Sequence, residues 1–175
     1  MERTGAELVR RGYGIISGNA PGADQAWARG GNFVDPTKVT LCLPWDGFER
    51  KTIHPRNVVQ LASFDPDRTT RIASMFGSRS TRQAAIWLHA RNVMIIEPAS
   101  TVLGYLPFGQ QGGTGMAFKL ARMFRVEAEN VADEGVRDAI DRLWFDEDLR
   151  VHGVAKLKWI GATTASANRR VEVRE

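Results

Sequence analysis

Twice in this chain a short apolar run breaks into glycines and resumes as a helix, and this punctuation narrows the possible folds more than any other feature. GYGII at 12–16 leads into SGNAPGAD at 17–24 and then QAWARG; TVLGYLPF at 101–108 leads into GQQGGTG at 109–115 and then MAFKLARMF. An apolar run of this length bounded by turn residues reads as a buried strand. A strand that turns on glycines into a helix aims its first free backbone N–H groups at whatever lies above the turn, and such helix starts attract anions. A phosphate cradle and an ordinary tight connection both satisfy the first stretch taken alone.

The remaining segments continue the alternation. ERTGAELVRR is amphipathic, and Gly12 is placed to stop that helix. A second helix is expected from Pro21 to Arg29, with Pro21 acceptable in a first turn and Gly30-Gly31 ending it. KVTLCLP at 38–44 is apolar on both faces, as a central parallel strand is. IHPRNVVQLAS at 53–63 reads as a short helix, Arg68–Met75 as another, and 79–96 as a longer one. RVEAENVA reads as a strand, and DEGVRDAIDRLWF as a closing helix with Asp133 at its N-cap. The alternation predicts an α/β fold, a Rossmann-like three-layer sandwich with a mostly parallel sheet. Ligands of such sheets bind beyond the carboxyl ends of the strands, where both glycine turns fall.

With 175 residues the chain suits one domain and can bury a core without disulfides. Cys42, the single cysteine, lies in an apolar run and reads as a small buried hydrophobe. His54, His89 and His152 show no ligand spacing, so no metal is expected. SGNAPGAD lacks the full dinucleotide fingerprint, which argues against a nicotinamide cofactor, and no cofactor is expected. The chain shows no basic-plus-apolar leader and no span of about 18 apolar residues, so a cytoplasmic protein without a membrane partner is expected. Residues 150–175 hold six Lys or Arg and two acids, a net +4 that equals the charge of the whole chain. The body, 1–149, is neutral. A basic tail steers toward nucleic acid or another acidic partner, and a solvated terminus has the same composition.

SGNAPGAD, LHARN at 88–92 and QGGTG at 111–115, in that order, resemble the SLOG superfamily, which unites DprA/Smf DNA-processing proteins, LOG-type nucleotide hydrolases and nucleotide-sensing domains. The resemblance runs from about Glu2 to Trp144 and is nearest to small phage and bacterial DprA-like proteins. It implies a nucleotide or single-stranded nucleic-acid ligand and is compatible with a homodimer. Gly18, Asn19 and Gly22 would let the backbone approach a phosphate or ribose, and Ser17 would donate to a phosphate oxygen or close the turn. Asp24 would cap the next helix or accept from a ribose hydroxyl. Gly112, Gly113, Thr114 and Gly115 would form a second cradle, with Arg91 as a charged fork for phosphate and Asn92 reading a ribose or bracing a loop. His89 reads as structural.

Two departures bear on function. LOG-type hydrolases carry paired glutamates after their second loop, whereas GQQGGTGMAFKLA holds no acid. Glycosidic cleavage needs a carboxylate, and Asp24, Asp46, Glu49 and Glu97 are the candidates by position. Superfamily members also open with a strand beside the SGNAPGAD strand, and this sequence starts at the following helix, so an exposed pairing edge is expected unless a partner or a rearrangement covers it. A non-catalytic binding protein is the reading preferred, with Trp159 beside Lys156 and Lys158 as a stacking residue. A LOG-like hydrolase, a nucleotide sensor and a structural element on this fold are the alternatives.

Overall fold

Alternation along the strands divides the core into two layers. In the computed structural model, which describes residues 1–63, 65–75, 83–108, 112–145 and 159–163, Ile15, Leu41, Leu43 and Leu103 face one side of a sheet. Their neighbours Ile16, Cys42 and Val102 face the other. Side chains of a strand point alternately up and down, so a strand apolar at every position must be covered on both faces. Gly14–Ser17 (β1), Val39–Leu43 (β2) and Thr101–Gly104 (β4) are buried throughout.

Helices supply both covers. Glu2–Arg10 (α1), Ala23–Val34 (α2) and Glu134–Phe145 (α6) pack on the first face through Leu8, Val9, Trp27, Ala28, Val136 and Ile140. Pro66–Met75 (α3), Gln83–Ile96 (α4) and Gly113–Phe124 (α5) cover the second, through Ile72, Ile95, Met116 and Leu120 among others. The fold is the expected α/β three-layer sandwich. Its sheet has six parallel strands, completed by Val58–Leu61 (β3), Glu127–Asn130 (β5) and Trp159–Thr163 (β6), in the order β3-β2-β1-β6-β4-β5.

Three expectations are corrected. The stretch 53–63 holds no helix; Val58–Leu61 forms an edge strand instead, because pairing with β2 satisfies its backbone on one side. Gly30-Gly31 does not end α2, which runs on to Val34. These glycines remove side chains where two surfaces meet: a Cβ on Gly30 would overlap the Glu2 carbonyl, and one on Gly31 would lie 2.6 Å from a Val39 methyl. Gly5 does the same from α1, where a Cβ would come 2.7 Å from the Trp27 carbonyl. The third correction concerns the missing central strand. Trp159–Thr163, from the stretch read as a basic tail, lies between β1 and β4 with Ile15 opposite Ile160 and Val102 opposite Gly161. The edge of β1 is therefore paired within the chain. Lys156, Lys158, His152 and the other cations of 150–175 lie outside the described residues, as do 79–82 of the long predicted helix and 109–111 of the second loop.

Gly12 stops α1 as expected. It takes φ +90°, its N–H donates to Val9, and the Tyr13 N–H donates to Leu8, the paired bonds of a Schellman cap. No helix among the described residues is long and apolar enough to cross a membrane.

Gly30→Ala should force α1 away from α2 and cost about 1–3 kcal/mol, the usual range for overpacking. Urea unfolding of the variant beside Gly12→Ala, whose Cβ meets nothing but whose positive φ is strained, separates contact from backbone strain.

Candidate functional site

After β1 the chain turns to α2 on one face and moves toward β2; after β4 it turns to α5 on the other face and moves toward β5. The two connections leave for opposite faces on either side of β6, which makes this end of the sheet a topological switch point, the place where parallel α/β sheets bind ligands. Ser17 pairs with Ala162 and Gly104 with Thr163 in register, so β1 and β4 stand two strand spacings apart, about 10 Å.

The first loop is held from below. Ser17 is fully buried, and its hydroxyl donates to the Asp24 carbonyl at 3.0 Å. Asn19, buried and in the left-handed region at φ 58°, donates to the Glu49 carbonyl at 3.2 Å and accepts from the Thr52 hydroxyl at 3.0 Å. These two bonds tie the β1 loop to the loop after β2. Gly22 takes φ +102° at the N-cap of α2, a conformation that suits glycine.

Arg91 comes from α4, on the opposite face, and is 5% exposed. One guanidinium nitrogen donates to the Gly18 carbonyl at 3.2 Å, and two others reach the Asn92 side-chain oxygen at 3.0 and 3.4 Å. A Cβ on Gly18 would come within 2.6–2.8 Å of the guanidinium. Arg91 thus braces the loop from beneath and is oriented by Asn92.

Asp24 lies in the first turn of α2 with no exposed surface. Its Oδ2 accepts from the Ala20 N–H at 3.3 Å, while Oδ1 has no partner. Burial pushes the carboxyl up to about 6, against the pull of Arg91 and of the Ala20 and Gly18 N–H groups, of which Gly18's lies outside hydrogen-bond geometry. Burial likewise lowers the Arg91 pKa, with Asp24 opposing it. Desolvation outweighs attraction for both groups, and the described ion pairs do not join them. The same burial lowers His89 and raises the Cys42 thiol to about 11, so the thiol is neutral and unreactive.

The second loop enters α5 through Gly112, at φ +136°. Thr114 is fully buried; its methyl sits where a Cβ on Gly104 would be 2.8 Å away, and its hydroxyl has no partner. Helix bonding begins with the N–H of Met116 in α5 and of Gln25 and Ala26 in α2. The N–H groups before them, on Ala23 and Asp24 and on Gly113, Thr114 and Gly115, project from the helix starts. Asn130 fixes the approach to this loop, exchanging bonds of 3.0 and 2.9 Å with the Leu106 backbone.

Every described residue of the two predicted loops therefore lies at one edge of the sheet. Ser17, Asn19, Arg91 and Asn92 hold the first loop; Asp24 Oδ1 and the Thr114 hydroxyl are the buried groups left without a partner. Thr52 and Asn130 were not legible as braces, although an asparagine at the end of a strand is a common turn-fixing signal. Of the other candidate acids, Asp46 and Glu49 are exposed after β2, and Glu97 lies at the far end of α4, paired with Arg68 at 2.8 Å. No group of three or more His, Cys, Asp or Glu among the described residues is placed to hold a metal. Comparison of the chain with protein-family models, curated proteins and solved structures finds no match.

A carboxyl whose folded pKa is raised binds its proton more tightly in the folded chain, so stability falls as pH rises from about 4 through 6. Asp24→Asn should therefore be more stable than the parent above pH 6, by on the order of 2–3 kcal/mol, with the gap closing below pH 4. Urea unfolding at pH 4, 6 and 8 reads this, and a constant difference would contradict it. Gly18→Ala should cost about 1–3 kcal/mol by displacing the Arg91 guanidinium from a site without solvent.

Proposed function

We propose that this chain is a binding protein of the DprA-like kind, taking a ribose- or deoxyribose-phosphate ligand as a nucleotide or as single-stranded nucleic acid, without turnover. The observation that carries the reading is the pair of helix starts flanking the switch point, each with a buried oxygen left unpartnered, Asp24 Oδ1 and Thr114 Oγ1. A buried polar atom without a partner costs about 1–3 kcal/mol, so a ligand that supplies the partners recovers that energy. Free N–H groups and a hydroxyl suit phosphoryl oxygens; a carboxylate oxygen suits a sugar hydroxyl or amine and repels phosphate. The strands that feed the two loops stand about 10 Å apart, a span that suits a sugar with its phosphate better than a lone anion.

Aromatic rings on the same edge support a base-bearing ligand. Trp45 follows β2, and Tyr105 and Phe108 follow β4; all three are exposed, Phe108 completely. Trp45 is held edge-on by Phe48, 5.2 Å between ring centres. Exposed rings beside phosphate donors are how single strands are held without reading sequence.

Titration with a labelled single-stranded oligonucleotide and a panel of nucleoside phosphates tests the reading. Thr114→Val, which keeps shape and removes the hydroxyl, should weaken the bound ligand roughly five- to tenfold while leaving the melting temperature of the free protein unchanged or raised. Phe108→Ala should weaken the oligonucleotide but not ribose 5-phosphate. Binding to no member of the panel, or unaltered binding by Thr114→Val, overturns the proposal; release of free base from any nucleotide moves it to the hydrolase.

A further inference from the structure

β3 closes one side of the sheet, and among the described residues no strand pairs with its outer edge. Natural edge strands are protected by charge, proline or a bulge. VVQL has none of these, and Val58, Val59 and Leu61 are 46, 45 and 51% exposed. We infer that β3 joins two copies of this chain, pairing antiparallel with itself about a twofold axis at Gln60 to give one continuous sheet.

The backbone selects that register. Ala62 donates inward to Leu43 at 2.8 Å, so by alternation Val58 and Gln60 also face β2, and the N–H and C=O groups of Val59 and Leu61 point outward. The flanking outward donors are engaged already: the Asn57 N–H goes to the His54 carbonyl at 2.9 Å, and the Ser63 N–H to the Met94 sulfur at 3.2 Å. A register centred on Val59 would set Leu61 against Asn57, and one centred on Leu61 would set Val59 against Ser63. Only the register centred on Gln60 pairs Val59 with Leu61 of the second copy. With two outward donors on each copy, it makes four main-chain hydrogen bonds.

Side chains agree with this choice. Val59 and Leu61 share a face with Leu41 and Leu43, their register partners in β2, so the four from two copies form one apolar cluster. On the other face Val58 meets Ala62 of the second copy, and the two Gln60 amides meet at the axis. Residues 57–63 carry no charge, and Arg56 falls outside the paired stretch. Two chains of net charge +4 repel, and this neutral edge is where they can approach. A second copy fits better than an unrelated strand because the one free donor pair is matched to itself.

Sedimentation equilibrium over a concentration series should show the mass rise from 19.4 kDa toward twice that value. Val59→Pro removes an outward N–H while sparing the inward bonds, a substitution edge strands tolerate, and should hold the protein monomeric with its melting temperature little changed. A second variant reads the register. Gln60→Cys should form a disulfide across the axis, where opposed Cβ atoms of a non-hydrogen-bonded pair lie about 4.5–5.5 Å apart. It is made with Cys42→Ala, because the Cys42 sulfur lies 3.8 Å from the Gln60 amide oxygen and the change leaves residue 60 as the single thiol of the chain. A dimer that cross-links through Gln60→Cys and is lost with Val59→Pro supports the inference. A monomer at every concentration, a dimer indifferent to Val59→Pro, or cross-linking no faster than that of Asp67→Cys overturns it, whatever ligand the switch point binds.

Discussion

A guanidinium with almost no access to water governs how the rest of this molecule is arranged. Arg91 leaves α4 on one face of the sheet and ends beneath the loop that feeds α2 on the other. Its charge must be met by fixed acceptors, and it finds the Gly18 carbonyl and the Asn92 amide oxygen. That demand explains why residue 18 has no side chain and why Asn92 follows Arg91 directly. It also sets the electrostatics, since Asp24 feels this cation from a site where burial opposes its own ionisation. One buried cation thus couples two layers, the first loop and a titratable acid.

Once the braces are separated from the groups left over, the site is economical. Ser17, Asn19 and Arg91 are engaged in fixing the first loop, with Asn92 orienting Arg91, so the proposed binding role would fall to N–H groups at helix starts, two buried oxygens and aromatic rings at the rim. Backbone donors are indifferent to which nucleotide bears the phosphate, so selectivity would rest on the rings of Trp45, Tyr105 and Phe108. A fixed loop also loses little freedom when a ligand arrives.

Local signals carried the architecture well. Strands apolar at every position, glycines between strand and helix, and Gly12 after an amphipathic turn are read within a window of a few residues, and each sits where that reading puts it. Gly30-Gly31 misled because a glycine pair looks alike whether it ends a helix or makes room for a neighbour, and only the position of α1 distinguishes the two. VVQL misled for a similar reason: four residues fit a helix turn or a strand, and the partner that decides lies in β2. Arg91 and Asp24 stood out in the sequence by type and surroundings, but the bracing bond of Arg91 was not legible there, since its acceptor lies 73 residues away in the chain. The strand at 159–163 was masked by composition, since the cations of its neighbours dominate any average taken over that stretch.

That strand has a consequence for the order of events at the ribosome. Synthesis runs from the N-terminus, so β1 to β5 leave the exit tunnel before the segment that must sit between β1 and β4. Until then β3-β2-β1 and β4-β5 have no strand to join them, and the central layer cannot be completed. The two loops at the switch point acquire their final spacing only when Trp159–Thr163 inserts, a late closure between distant parts of the chain of the kind that slows folding and leaves strand edges exposed to chaperones.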